Sequence, residues 1–251
     1  MNNKERFTNR VETYVKHRPS YPKEAIDYLF GNVGVTASSS VADVGAGTGI
    51  FSELLLERGS HVIAVEPNAA MREASVQKLG AYPKFTAWNG SAEATGLESE
   101  SVDYITCAQA FHWFDRTAAQ AEFRRILKPG GKVVLIWNIR KTTGSAFLEL
   151  YEQLVQTFGN DYKQVNHRNI TKQTLQSFFK DGLIHEAKFT IHQRFDFESL
   201  KGRLLSSSYT PTTEQHNHHL MLSELQAIFD NNQQSGTVSI DYETEIYVGE
   251  V

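Results

Sequence analysis

Val41-Ala42-Asp43-Val44-Gly45-Ala46-Gly47-Thr48-Gly49 runs a short apolar strand pattern straight into a glycine-rich turn. A helical pattern follows at once over residues 50–58, with Phe51, Leu54 and Leu55 on one face. Glycine adopts dihedrals that a Cβ forbids and lets the backbone approach a ligand closely, so strand, glycine turn and helix in this order make a candidate binding loop. The same alternation continues outward. Residues 61–65, 84–87, 102–108 and 132–137 read as further strands, and residues 69–79 and 116–127 as helices, the first of them capped by Asn68. Lys128-Pro129-Gly130-Gly131 reads as a turn before the last of these strands, since proline presets φ at one turn position and glycine accepts a positive φ at the next. Strands alternating with helices predict an α/β fold built on a helix-covered parallel sheet.

Beyond Arg140 the pattern loosens. Helical stretches are predicted at residues 145–158, 172–179, 197–206 and 214–231, with a strand near 188–195. The alternation of Val238, Ile240 and Tyr242 within residues 237–248 predicts a strand at or next to a sheet edge. No Pro/Gly/Ser-rich boundary interrupts the chain, so residues 1–251 read as one domain. Within it, residues 1–36 form an N-terminal lid of helices, 37–141 the cofactor-binding core, 142–236 a cap of helices and a strand, and 237–251 a C-terminal strand.

Composition narrows the function classes. Of 251 residues, 40% are hydrophobic and 22% charged, enough apolar surface for one sizeable core. A net charge of −4 argues against a surface for polyanions, so free nucleic acid is not an expected partner. The single cysteine, Cys107, rules out a disulfide within the chain and points to a reducing compartment. The N-terminal stretch is polar and no apolar run is long enough to span a bilayer, so a soluble, cytoplasmic protein is expected.

Glu66 closes the second predicted strand, about twenty residues after the glycine turn. A carboxylate at that place accepts the hydroxyl hydrogens of a ribose, which points to a nucleoside-bearing cofactor. A dinucleotide fingerprint asks for glycine or alanine where Ile50 stands, to open the helix N-terminus to a pyrophosphate. Ile50 therefore tells against an NAD(P)-dependent oxidoreductase. That activity, and a non-catalytic cofactor-binding protein on the same fold, are the alternative readings.

Four segments, Asp43-Val44-Gly45-Ala46-Gly47-Thr48-Gly49, Val65-Glu66-Pro67-Asn68, Gly90-Ser91-Ala92-Glu93 and Leu127-Lys128-Pro129-Gly130-Gly131, together resemble the class I S-adenosylmethionine-dependent methyltransferases of the type 11 group. Gln109-Ala110-Phe111-His112-Trp113-Phe114-Asp115, and Tyr14 with Arg18-Pro19-Ser20-Tyr21-Pro22, are similar to the trans-aconitate-methyltransferase-like proteins within it. The resemblance covers the N-terminal part of the chain as far as Arg140, and no motif is recognised beyond. It implies a Rossmann-like sheet, mostly parallel with an antiparallel C-terminal strand, carrying a helical cap and an N-terminal lid. It also implies S-adenosyl-L-methionine as cofactor and methyl transfer to a small-molecule acceptor, at a carboxylate or hydroxyl oxygen. Carried over, the family pattern sets the methionine moiety against Gly45, Ala46 and Gly47 and the ribose on Glu66. The adenine then lies near Pro67, Met71 and the Ser91-Ala92 backbone, and the cofactor's amino group near the carbonyl of Gln109.

Several of these residues have an equally plain structural reading. Met71 fits a helix face packed on the core, and Ser91 and Glu93 fit a simple turn. Arg18 suits the cofactor carboxylate or an acidic substrate through a bidentate contact, or lies on the surface; Arg140, Arg168 and Arg203 are further cations in regions expected to overhang the pocket. Tyr14 and Tyr21 either line the mouth or anchor the lid, and Trp113 either walls the substrate pocket or packs beneath a helix. His112 is the candidate general base, because imidazole titrates near neutrality; its alternative is to hold the loop in shape. Thr106-Cys107-Ala108-Gln109 lacks the Asn/Asp-Pro-Pro-aromatic pattern of nucleic-acid amine methylases, and Cys107 has no preceding proline, so it reads as a buried strand cysteine. His216, His218 and His219 read as a solvated helix face, and no metal is expected.

Overall fold

The computed structural model describes residues 16–162 and 169–251; Tyr14 and Arg168 lie outside the described residues. Helix α1 (Lys23–Tyr28) widens into a π turn at Leu29–Val33 and ends at Gly34, whose φ is 98°. The core then alternates as β1 (Ser40–Val44), α2 (Ile50–Glu57), β2 (His61–Val65), α3 (Ala69–Leu79), β3 (Phe85–Trp88), β4 (Val102–Ala108), α4 (Arg116–Ile126) and β5 (Leu127–Arg140). It continues through α5 (Ala146–Phe158), α6 (Lys172–Phe178), β6 (His185–Phe195), α7 (Phe197–Leu205), α8 (Asn217–Asn232) and β7 (Val238–Gly249). Asn68 caps α3 as expected, its side chain accepting from the Met71 amide.

One seven-stranded sheet has the order β3-β2-β1-β4-β5-β7-β6. Strands β1 to β5 pair in parallel, while β7 runs antiparallel to both β5 and β6. This is the mostly parallel sheet with a reversed C-terminal strand that the resemblance implied. The order reverses at β1, where the chain crosses from β3 back past β1 to β4, and the ends of β1 and β4 are the switch point at which open sheets bind ligands. β7 lies next to the edge, and β6 forms the edge itself.

Pleating divides the core. Ala42 and Val44 join Ile105, Cys107, Leu135 and Trp137 on one face, under Phe123 of α4 and Phe178 of α6. Val41 joins Val62, Val134 and Ile136 on the other, under Ile26 of α1 and Leu55 of α2. A third apolar cluster gathers α5, α7 and α8 against Ile240 and Tyr242 of β7. No helix among the described residues is long and apolar enough to cross a membrane.

The turn expected at residues 128–131 is absorbed into β5. Leu127 pairs with Val102 and Lys132 with Tyr104, so four residues of β5 bulge out against one of β4, and Gly130 takes a φ of 77° to allow it. The strand near residues 188–195 is also longer than expected, beginning at His185, because all of β6 finds partners along β7.

Candidate active site

The end of β1 delivers Gly45, Ala46 and Gly47 to the switch point. The Gly45 and Ala46 amides donate to the Val65 carbonyl at 2.8 and 3.2 Å, which ties the turn to the end of β2. The three glycines serve different purposes. Gly45 has a φ of 74°, and a Cβ there would lie 2.6 Å from the Ala110 Cβ; Gly49, at 80°, would meet the Leu79 side chain at the same distance. Both allow protein to approach protein. Gly47, with a φ of 57°, has no atom of a described residue within 4 Å of a Cβ position, so among the described residues it leaves room beside the turn.

Glu66, at the end of β2, faces that room. One carboxylate oxygen accepts from the Gly47 amide and the other from the Asn68 amide, each at 2.9 Å. The side chain is buried, and burial pushes its carboxyl above the ordinary carboxylate range while the two amide bonds pull it back. Each oxygen accepts one bond in this way and keeps capacity for another, the requirement for receiving two vicinal hydroxyls. Arg72 steadies the same strand end by donating to the Glu66 carbonyl at 2.8 Å.

Beneath the turn, Asp43 is fully buried and accepts from Ser52 Oγ of α2 at 2.6 Å and from Thr106 Oγ1 of β4 at 2.9 Å. Desolvation raises its pKa to about 6, against the pull of these hydroxyls. Sequence reasoning assigned Asp43 no part of its own. The signal was a carboxylate in the middle of an apolar strand, which must find hydrogen bonds when buried.

The remaining residues carried over from the family pattern also sit past strand ends. Pro67 follows Glu66, and Met71 is 3% exposed in the first turn of α3, where core packing already accounts for it. Ser91 and Ala94 exchange backbone bonds at 3.1 and 3.2 Å around Ala92, so this segment is a tight turn. Glu93 tethers that turn to the start of α4 by accepting from the Asp115 amide at 3.0 Å. Gln109, immediately after β4, has a φ of 58°, unusual for a side-chain-bearing residue and a mark of local strain. Its amide donates to the Ile136 carbonyl at 2.8 Å and its side chain to the Asn138 carbonyl at 3.3 Å.

His112 and Trp113 occupy a single 3-10 turn, Phe111–Trp113, with their rings 4.8 Å apart. The Trp137 indole N–H donates to His112 Nδ1 at 3.4 Å, a bond that sequence reasoning did not find. A neutral imidazole that accepts at Nδ1 carries its proton on Nε2 and presents a donor there.

Residues 17–21 are fastened to the body of the protein beside the site. Arg18 Nη2 donates to the Ser206 carbonyl at 2.9 Å, and Asn138 Nδ2 donates to the Ser20 carbonyl at 3.1 Å. Tyr21 packs edge-on against Phe51 of α2 with centroids 5.1 Å apart. A Cβ on Gly202 would collide with the His17 ring, so the segment lies closely on α7. Of the later cations, Arg140 pairs with Glu152 and Arg203 is buried beside Tyr242. Cys107 is fully buried, and burial pushes its thiol up. His216 and His219 are exposed, and among the described residues no three His, Cys, Asp or Glu side chains gather as a metal site.

Residues 42–135, which hold the glycine turn, Glu66 and the loop after β4, match the family model described as a methyltransferase domain. The chain carries a methyltransferase domain. An uncharacterized methyltransferase of Mycobacterium tuberculosis is 42% identical to it over 134 residues, 53% of this chain and 52% of that protein. The chain thus spans about half the length of the mycobacterial relatives it matches. An uncharacterized methyltransferase of Schizosaccharomyces pombe is 29% identical over 97% of this chain and 96% of its own. Among solved structures, one provisionally described as a type II methyltransferase from Anaeromyxobacter dehalogenans superposes with a TM-score of 0.70. It is 22% identical and covers 93% of this chain and 97% of its own. That likeness extends the shared fold beyond the methyltransferase domain to the C-terminal elements.

Proposed function

We propose that this protein is an S-adenosylmethionine-dependent methyltransferase that works in the cytoplasm on an oxygen, carboxylate or hydroxyl, of a small molecule. The observation that carries the reading is the Glu66 carboxylate, held by the Gly47 and Asn68 amides beside a turn glycine whose Cβ position no described residue approaches within 4 Å. The donor set fits the cofactor. Space beside Gly47 suits an amino-acid moiety, and the buried, backbone-held carboxylate suits a ribose diol. Ala46, Gly45 and the Gln109 carbonyl would complete the methionine end, with Arg18 near its carboxylate. Pro67, Met71, Ser91 and Ala92 would border the adenine. S-adenosylmethionine, when bound there, would supply an electrophilic sulfonium methyl group for the acceptor oxygen.

The protein's own contribution is alignment and exclusion of water, which together lower a barrier by several kcal/mol. Residues 18–21, with Tyr21 against α2 and Arg18 on α7, close one side, and the cluster of α5, α7 and α8 caps another. His112 orients the acceptor by donating from Nε2, because Nδ1 already accepts from Trp137. Such a histidine suits an acceptor that is ionised before it binds, as a carboxylate is at neutral pH. Trp113, its ring 4.8 Å from that of His112 and tilted against it, borders the same acceptor site. The net charge of −4 favours a small molecule over free nucleic acid. Incubation of the protein with methyl-labelled S-adenosylmethionine and a metabolite extract tests the reading: a labelled small product that requires Glu66 supports it, and label in no product rejects it.

A further inference from the structure

Arg203 is 8% exposed, yet it forms no ion pair with a carboxylate among the described residues. Its Nε donates to the Tyr242 hydroxyl and its Nη1 to Ser207 Oγ, both at 3.1 Å. Its Nη2 makes no hydrogen bond to a described residue, and neither does the hydroxyl of Tyr151, whose side chain is 2% exposed. Tyr151, Tyr209 and Tyr242 are the groups that surround the guanidinium electrostatically. Neutral phenols supply dipoles but no charge. Arg140 has a neighbour of opposite sign, the carboxylate of Glu152, and stacks over the Tyr151 ring at 4.9 Å. Among the described residues the guanidinium of Arg203 therefore has no counter-ion, and burying such a charge without one is costly.

Its position is that of an acceptor site. Tyr242 pairs with Arg140 at the C-terminal end of β5, two residues beyond the Asn138–Thr244 pair, a rise of about 7 Å along the strands. Asn138 touches Gln109 on one side and Ser20 on the other, and Arg18 reaches the Ser206 carbonyl at the end of the helix that bears Arg203. The cluster and the glycine turn thus share the ligand-binding end of the sheet.

We propose that Arg203, with the hydroxyls of Tyr151 and Tyr209, is the subsite that anchors a carboxylate of the acceptor molecule. The open edge of the guanidinium, Nη2 and the second Nη1 hydrogen, matches two carboxylate oxygens, and a single excess positive charge matches one carboxylate group. A carboxylate gripped at both oxygens is a poor nucleophile, so this group anchors and a different oxygen receives the methyl. The inference rests on the methyl-transfer reading for its biological sense, but its test does not depend on turnover.

The test compares acids with their neutral amides, benzoate with benzamide and phenylacetate with phenylacetamide, by ligand-observed NMR on the full chain with S-adenosylhomocysteine present and absent. The wild-type protein should bind each acid about ten- to a hundredfold more tightly than its amide, the range of one charge-assisted contact. Arg203→Gln should erase that preference and Arg203→Lys should keep part of it. Affinity for S-adenosylhomocysteine should change less than about twofold in either variant, well under the energy of one hydrogen bond. Equal binding of acids and amides to the wild-type protein, or binding of neither, overturns the proposal without any variant, as does a preference that survives Arg203→Gln. Failure of the wild-type protein to bind S-adenosylhomocysteine would instead count against the methyl-transfer reading.

Discussion

The Glu66 carboxylate accepts a hydrogen bond from the amide of Gly47, 19 residues earlier in the chain, at 2.9 Å. This contact joins the ends of β1 and β2 into one site. Glu66→Ala should weaken S-adenosylhomocysteine binding by about 1–3 kcal/mol, the scale of charge-assisted hydrogen bonds, with a smaller effect on folding. Titration calorimetry beside urea unfolding checks both parts; an unchanged affinity removes Glu66 from the site.

The glycines of the turn should separate by substitution. Gly45→Ala forces a Cβ to 2.6 Å from the Ala110 Cβ and should cost about 1–3 kcal/mol of stability from overpacking alone. Gly47→Val meets no packed neighbour among the described residues, adds the strain of its left-handed backbone, and should abolish cofactor binding. Melting curves and titrations on the two variants give opposite patterns if the assignment holds. Normal affinity in Gly47→Val would mean that the turn does not touch the ligand.

These glycines also mark where sequence reading ends. The strand, turn and helix around Gly45–Gly49 were legible because period and glycine placement are local, and Glu66 was legible by its distance from them. That Gly45 and Gly49 make room for Ala110 and Leu79 was not, since those neighbours come from distant elements. The bulge at Gly130 hid within a plain turn signal, because only pairing with β4 turns it into strand. The surroundings of Arg203 draw on α5, α7 and β7, whose meeting no local pattern records. The Trp137–His112 bond likewise joins β5 to the loop after β4, and it changes the chemistry available to the histidine.

Asp43 should leave a pH signature on stability. Its pKa rises to about 6 on folding, so the folded chain holds this proton more tightly than the unfolded one. Its contribution is full below about pH 4, is lost as pH rises through about 6, and is flat above. Relative to wild type, Asp43→Asn should therefore gain about 2 kcal/mol between pH 4 and 7, measured by urea unfolding across that range. A difference that does not vary with pH would mean that Asp43 is not held as described.

His112→Asn should lower kcat by less than about tenfold, whereas loss of a general base typically costs about a hundredfold or more. Trp137 already occupies Nδ1, so the variant loses an orienting donor and retains one in the amide. Steady-state kinetics on the acceptor found by the labelling screen decides between these magnitudes.

Direct titration of the wild-type protein with S-adenosylhomocysteine and, separately, with NADH bears most closely on the assignment of this site to a methyl donor. One S-adenosylhomocysteine site per chain is expected, weakened about five- to a hundredfold in Glu66→Ala, with no NADH binding at that site. Binding of NADH that depends on Glu66, with S-adenosylhomocysteine failing to bind, would contradict it.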